Sequence, residues 1–467
     1  MKKIQFFNIA ILAFVSLVAN AQNVSPVDFM DSNPYQLRNN PSAVMPYDSH
    51  VSVAIGNICG DFRNLDFRMK NLFGYDASGR PSVIDLKQFA NSLNPVNSMN
   101  SAFDMEVLGI GRKSHYGYVT YSHRLRFQSA CNYSDDLFQL AASGNAAFVG
   151  ENNPVDMKMD MNLMAFQEFA LGYQICPVKN LSVGGRVKLL FGAAEAKTEA
   201  CNVKLYTDSE TYALRLCEDM AVRVASPMPF HVADGEMAFN NSRFDVGDLF
   251  CSPGFGVDLA ASYRINEKFS VTAAVNDLGF ISWNKTGVML NGQIADQGDF
   301  YDDGDFIFQG LDVNDIQKLV SDEAYREWFV ENLDHYFDFA SEYMDSYTTM
   351  LHTNFLLRGT YTLNEKHRFV AQMQGYCSGL GFRPALTLAY NANLNKHFDL
   401  CATYTMMRKS FDNLGLGVTC NLKFFHVYVA TNNIIGCFSP LNTSGLNFQA
   451  GIFFTVKDKY GQQSQPD

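Results

Sequence analysis

The stretch "GFGVDLAASYRINEKFSVTAAVN", residues 254–276, carries in small the logic of the whole chain. Phe255, Val257, Leu259, Ala261, Tyr263 and Ile265 fall on one face of an extended backbone, and Gly256, Asp258, Ala260, Ser262 and Arg264 on the other. Alternation of period two over about a dozen residues is a strand signal, because successive side chains of an extended chain point to opposite faces. After Asn266-Glu267-Lys268 the pattern resumes, with Phe269, Val271, Ala273 and Val275 against Ser270, Thr272, Ala274 and Asn276. The unit is a hairpin.

It recurs. "YTLNEKHRFV" (361–370) repeats its turn nearly letter for letter, and "YNANLNKHFDL" (390–400) and "YQICPVKNLSV" (173–183) are looser copies. Phe169, Leu171, Tyr173 and Ile175 precede the turn of the last copy, and Leu181, Val183, Gly185, Val187, Leu189 and Phe191 follow it. Leu351, Phe355, Leu357, Tyr361 and Leu363 are expected on one face, as are Phe398, Leu400, Ala402, Tyr404 and Met406.

Two architectures use such hairpins. A soluble sandwich turns its apolar face inward and has strands of about 5–6 residues. A membrane barrel turns it to lipid and needs about 9–11 residues per tilted strand. The runs here are of the longer kind. Arg186, Lys188, Arg215, Arg223, Arg264 and Arg358 all fall on the non-apolar face, where they escape the cost of roughly 2–4 kcal/mol for a base facing lipid at mid-bilayer. The expectation is an all-β transmembrane antiparallel barrel.

Short connections at Pro177–Asn180, Thr207–Glu210, Asn266–Lys268, Asn364–Lys366 and Asn395–Lys396 alternate with longer ones, notably Ser226–Pro253 and Asn284–Met350. The later links Cys377–Gly381 and Arg408–Asp412 are short as well. Short turns mark the periplasmic rim of such barrels, and the count from Val51 to Val456 is about 16 strands. An even number places both ends of the barrel in the periplasm.

Lys2 and Lys3, the apolar run "IQFFNIAILAFVSLV" and Ala19-Asn20-Ala21 form the pattern of a secretory signal peptide cleaved after Ala21. The expected organisation is therefore 1–21 signal peptide, 49–456 barrel with an inserted loop at 284–350, and 457–467 polar tail. The ten cysteines include no C-x-x-C and no zinc-like spacing. Cys201 and Cys217, like Cys401 and Cys420, sit at hairpin distance but on opposite faces, so they read as free thiols.

Asp296 to Asp345 holds 15 acids against two bases, Lys318 and Arg326, in a chain whose net charge is −12. Within it Tyr325, Trp328, Phe329, Tyr336, Phe337, Ala340 and Tyr343 recur at helical spacing, which predicts a partly helical extracellular insertion. It would lie as a lid over the mouth or offer a surface to a protein partner. "DQGDFYDDGDF" (296–306) gathers carboxylates and a Gly but lacks the EF-hand register, so a solvated loop is expected rather than a calcium site.

No nucleotide-binding, zinc-protease or nucleophile-elbow motif occurs. His115 and His123 share a strand face with Ser122 nearby, too little for a hydrolase. No enzyme activity, cofactor, metal or nucleic acid is expected, the last because phosphate binding needs a basic surface. The candidate ligand contacts are the lumen-facing Arg186, Lys188, Arg215, Arg223, Arg264 and Arg358, with Asp258 as the lone acid. Together they suit the carboxylate of a hydrophobic or amphipathic small molecule.

Several blocks in fixed order resemble an uncharacterised family of outer-membrane barrels from Bacteroidota-type Gram-negative bacteria. They are "LRNNPSAV" (37–44), "NSMNSAFDMEVLGIGRKSHYGYVTYSHRLRF" (97–127), "FALGYQICPVKNLSVGGRVKLLFG" (169–192), "VTAAVNDLGFISWN" (271–284) and "FQGLDVNDIQKL" (308–319) leading into "LLRGTYTL" (356–363). That family is distantly similar to the long-chain fatty-acid transporter type of barrel, a type that includes accessory barrels of a surface-secretion system. The resemblance implies 14 strands and an N-terminal hatch in the lumen, here 22–48, marked by Asn40, Pro41 and Ala43 with Ser42 where the pattern has Ala. Two readings of function follow: a channel or binding barrel for hydrophobic or amphipathic molecules, or a non-transporting barrel that anchors a surface, secretion or periplasmic partner through its extracellular acidic loop.

Overall fold

Alternating chains leave every backbone N–H and C=O pointing sideways, and in lipid each must find a partner, so a spanning sheet has to close. It does. The computed structural model describes residues 24–45, 50–64, 66–75, 81–210, 214–217, 220–226, 230–233, 236–239, 247, 250–283, 287–293, 318, 322, 324–325, 338–343, 346–378, 381–395, 397–407 and 410–456. Fourteen antiparallel strands form the ring. They are β1 (Val51–Asn64), β2 (Val96–Lys113), β3 (Gly117–Ser134), β4 (Met159–Val178), β5 (Leu181–Cys201), β6 (Pro253–Arg264) and β7 (Phe269–Trp283). The other seven are β8 (Thr353–Thr362), β9 (His367–Ser378), β10 (Gly381–Asn395), β11 (Phe398–Met407), β12 (Ser410–Leu422), β13 (Phe425–Thr431) and β14 (Gly445–Val456). Each pairs with its sequence neighbours, and β1 pairs with β14 from Val51↔Val456 to Arg63↔Gly445, which seals the wall.

The two faces separate cleanly. Leu189 is 57 % exposed on the outside, while its neighbours Lys188 and Leu190 are 1 % and 0 % exposed. Leu171, Val187, Leu259, Leu278, Phe355, Leu357, Met373, Leu388 and Val429 continue the outward apolar belt around the ring. No helix of the described residues is long and apolar enough to cross a membrane.

Ring size resolves the count of about sixteen in favour of fourteen. Lys204–Thr207 and Leu214–Cys217 pair with each other and with Val155–Asp156 in a separate small sheet, outside the ring. The Thr207–Glu210 turn is therefore not on the short-turn rim but in the long 202–252 connection at the opposite end. On the rim where β1 begins and β14 ends every link is short, 114–116, 179–180, 265–268, 363–366, 396–397 and 423–424, while the opposite rim mixes the long connections with two short links, 379–380 and 408–409.

Two further expectations change. Leu351 does not share the outward face of Phe355 and Leu357; it precedes β8 and is buried inside. Ala340 and Tyr343, expected on a helix, lie in a strand, Asp338–Tyr343, paired with Gly287–Gln293. Lys318, Ala324 and Tyr325 are helical. Trp328, Phe329, Tyr336, Phe337, the 296–306 carboxylates, the signal peptide and the 457–467 tail lie outside the described residues.

Residues 24–45 run inside the ring at its short-turn end. Two 3-10 turns, Pro26–Phe29 and Pro34–Arg38, are capped by Ser25 and Asn33, whose side chains accept the Val27 and Tyr35 N–H groups. Val24, Phe29 and Met30 pack on Val370, Ala389 and Cys401 of β9–β11. Val27 and Tyr35 pack on Ala54, Tyr428, Ala430 and Phe453 of β1, β13 and β14. Touching both sides of the ring, the segment is a lumenal hatch.

Candidate functional site

Above the hatch, inward side chains of β2–β7 form a continuous ionic layer. Glu168 (β4) is its hub. It takes a forked pair from Arg124 (Nε–Oε1 3.0 Å, Nη2–Oε2 2.7 Å), one bond from Arg126 (2.8 Å) and one from Arg186 (3.1 Å). Lys188 Nζ lies 2.6 Å from both Asp258 Oδ1 and Asp277 Oδ1, and Arg186 Nη1 is 3.5 Å from Asp258 Oδ2. Arg38 of the hatch joins the layer by pairing with Asp104 (β2). Charges this deep persist only when paired and bonded, and here each has a partner of opposite sign.

Asp277 enters the layer through a break in the β6–β7 ladder. Register jumps between Val257↔Leu278 and Leu259↔Val275, and Asp277 takes φ 60°. The extra residue turns Asp277 inward, where unbroken alternation after Val275 would have aimed it at lipid. Its N–H donates to Asp258 Oδ1 at 2.7 Å.

Beyond this layer, toward the long-loop rim, the lumen is apolar. Met164, Phe166, Leu190, Ala225, Ile281, Trp283 and Leu351 form a buried cluster with Tyr347 packed against it. Arg126 lies over the Phe166 ring at 5.1 Å, joining the two layers. Arg223 secures the roof: its Nε donates to Glu195 Oε2 at 3.2 Å and its guanidinium stacks 4.0 Å from the Tyr347 ring, whose hydroxyl donates to the same carboxylate at 2.6 Å.

The residues singled out from sequence therefore divide. Arg186, Lys188 and Asp258 come together in the ionic layer, Arg223 stands at the outer end, and Arg358 faces the hatch 4.8 Å from the Phe29 ring. Arg264 is exposed at the short-turn rim. Arg215 is not in the ring at all; its backbone pairs with Tyr206 in the small outer sheet. Asp258 is not a lone acid, since Glu168, Asp277 and Asp104 share its layer. Glu168 was legible, because it lies in phase opposite Phe169 and Leu171; Asp277 was hidden by its bulge. Ser122 and His123 point to opposite faces: Ser122 accepts from Arg186 at 3.1 Å, while the His123 ring stacks on Phe169 at 4.3 Å. The Ser–His pair considered for hydrolysis does not form. Cys401 and Cys420 carry free thiols, and so does Cys201, with the Cys217 side chain outside the described residues. Among the described residues no group of three or more ligating side chains is placed to hold a metal ion.

In the hatch, Asn40 Oδ1 accepts from Ser42 N (3.2 Å) and Ser42 Oγ (2.7 Å), fixing the turn. Pro41 packs so closely on Gly184 that a Cβ there would lie 2.0 Å from its carbonyl oxygen. Ala43 packs with Leu37, Met45 and Tyr118. Ser182 Oγ donates to Ser42 O at 2.7 Å and Asn276 Nδ2 to Asn39 O at 2.9 Å, so the wall grips the hatch through its carbonyls.

A closed ring with an outward apolar belt, an internal hatch and a layered lumen defines a transmembrane β-barrel protein. The chain belongs to the family of unknown function DUF5723, whose model matches residues 41–432. No curated protein matches it. Among solved structures it is similar to the Pseudomonas putida toluene transporter TodX at 9 % identity and TM-score 0.41, over 93 % of this chain and 97 % of that one. It is also similar to a Pseudomonas aeruginosa FadL homologue at 9 % identity and TM-score 0.43 (94 % and 98 % covered). The Ralstonia pickettii toluene transporter TbuX gives 8 % and 0.43 (91 % and 92 %).

Proposed function

We propose that the protein is an outer-membrane barrel that binds, and passes across that membrane, small molecules with an apolar body and a polar head. The observation that carries this reading is the axial order of the lumen. An apolar cluster around Phe166, Leu190 and Trp283 sits directly on the layer of Arg124, Arg126, Arg186 and Lys188, and the hatch closes the path below. One rim has short links throughout and all the long connections lie on the other, which supports an orientation with the hatch toward the periplasm. A ligand entering from the long-loop side meets Arg223 and Tyr347 first, then the apolar cluster, with its head group exchanging for one carboxylate of the ionic layer.

The test is mass spectrometry of small molecules released from protein purified out of outer membranes in mild detergent. One defined lipid or organic acid is expected, absent from an unrelated barrel prepared alongside and depleted in a Trp283→Ala variant. An empty lumen together with no uptake into proteoliposomes removes the reading.

A further inference from the structure

A second site lies at the other end of the lumen. Between the hatch and β4–β9, at the short-turn rim, is a cavity of about 400 Å³. Its wall is rich in hydroxyls, with Ser182, Ser262 and Thr272 on the barrel side and Ser42 on the hatch side. Its charged lining is mostly basic: Arg358 buried inside, Arg368 half-buried nearer the rim, and Lys179, Arg264 and Lys268 at the mouth, against Asp31 and Glu267.

Arg358 and Arg368 have donors to spare, as does Arg38 of the ionic layer, but only these two line the cavity. Arg358 is 6 % exposed; its Nε donates to Gln372 Oε1 at 2.8 Å, and its buried Nη2 has no hydrogen-bond partner. Arg368 holds Phe29 O and Asp31 of the hatch, and its buried Nε has none. Asp28, the other acid of the hatch, supplies a nearby counter-charge to Arg358, while its oxygens accept from Ser25 N (3.0 Å) and Asn39 Nδ2 (2.9 Å). A buried, charged donor without an acceptor is costly, and a guanidinium beside a polar cavity is best satisfied by a planar or tetrahedral oxyanion taking charge-assisted bonds.

We propose that this cavity binds an oxyanion entering from the short-turn mouth, with Arg358 the principal donor, Arg368 the second and the mouth lysines drawing the anion in. The site is separate from the axial path above the hatch and stands whether or not that path carries cargo. Its ligand is a free anion such as phosphate or the phosphate head group of a lipid; the shared chemistry is the oxyanion.

Isothermal titration of the full-length protein in zwitterionic detergent, with inorganic phosphate in one arm and a short-chain phosphatidic acid in the other, separates the two sources. Saturable binding is expected in at least one arm, weakened at least tenfold in Arg358→Gln and unchanged in Lys197→Gln, a change at the far rim. Should Arg358→Gln fold poorly, Arg358→Lys keeps the charge and loses the fork, and is expected to bind measurably more weakly. Binding in the phosphatidic acid arm alone assigns the site to a head group. No binding in either arm, or binding indifferent to both Arg358 variants, overturns the proposal.

Discussion

Arg126 and Asp277 are joined by two parallel hydrogen bonds, Nη1–Oδ1 at 2.7 Å and Nη2–Oδ2 at 2.9 Å, although 151 residues separate them. Arg126 stands on β3 and Asp277 on β7, so the pair is not a wall contact between adjacent strands but a tie spanning a chord of the lumen. With Glu168 (β4) bonded to Arg126, and Lys188 (β5) bonded to both Asp277 and Asp258 (β6), it links five consecutive strands, β3 to β7. The lumen at this level is filled by salt bridges rather than by hydrocarbon.

Breaking that tie from one side leaves Arg126 with Glu168 and Lys188 with Asp258 but adds an excess of buried positive charge, which costs about 3–5 kcal/mol. Asp277→Ala is expected to lower barrel stability by that order, read as the shift in urea unfolding in lipid vesicles. Arg264→Ala, at the exposed rim, is expected to change it by less than about 0.5 kcal/mol. Equal effects from the two would contradict a closed ionic layer.

Adjacent residues of β5 offer a test of the faces. Leu189→Arg puts a base against lipid and is expected to cost about 2–4 kcal/mol. Leu190→Ala opens a void in the apolar lumen cluster and is expected to cost about 2–5 kcal/mol. The discriminating measurement is labelling: a Cys replacing Leu189 is expected to take a fluorophore that lipid-borne bromine quenches, and a Cys replacing the buried Leu190 is expected to resist the label.

Gly184 is required by the hatch rather than by the strand. A Cβ there meets Pro41 O at 2.0 Å and Ser42 N at 2.8 Å, both backbone atoms. Gly184→Val is expected to displace residues 24–45 while leaving the ring intact. Limited proteolysis would then cut the hatch at least tenfold faster than in the wild type, with the heat-dependent gel shift of a folded barrel preserved. An uncut hatch would show that the segment is not held at this contact.

His352, just before β8, is buried with its Nδ1 2.9 Å from Tyr376 Oη. His352→Ala leaves that phenol without its partner and is expected to cost about 1–3 kcal/mol of barrel stability, read as the shift in urea unfolding. His352→Ala and Tyr376→Phe together should cost less than the two single changes added; strict additivity would show that the bond contributes nothing.

Much of this protein was open to direct reading. The alternation in Gly254–Ile265 and its copies identified the strands, their outward face and the rim of tight turns, and the inward phase of Arg186, Lys188, Asp258 and Arg358 followed from it. These are local properties: an extended chain reverses its side chains at every residue, and lipid on one face imposes an apolar requirement on every second position. Ring size, by contrast, depended on whether Leu214–Cys217 joins the wall or a small sheet above it, and both places suit the same short pattern. The inward turn of Asp277 came from a bulge that no periodicity announces. Pairing across a chord of the lumen, and the capture of residues 24–45 inside it, bring together groups hundreds of residues apart, as with Phe29 and Asn391. Sequence alone determined an alternating, membrane-facing barrel wall, because that is written in neighbours. Only the tertiary structure decided which charges neutralise one another and which guanidinium keeps a free donor, because closure, stagger and bulges set those distances.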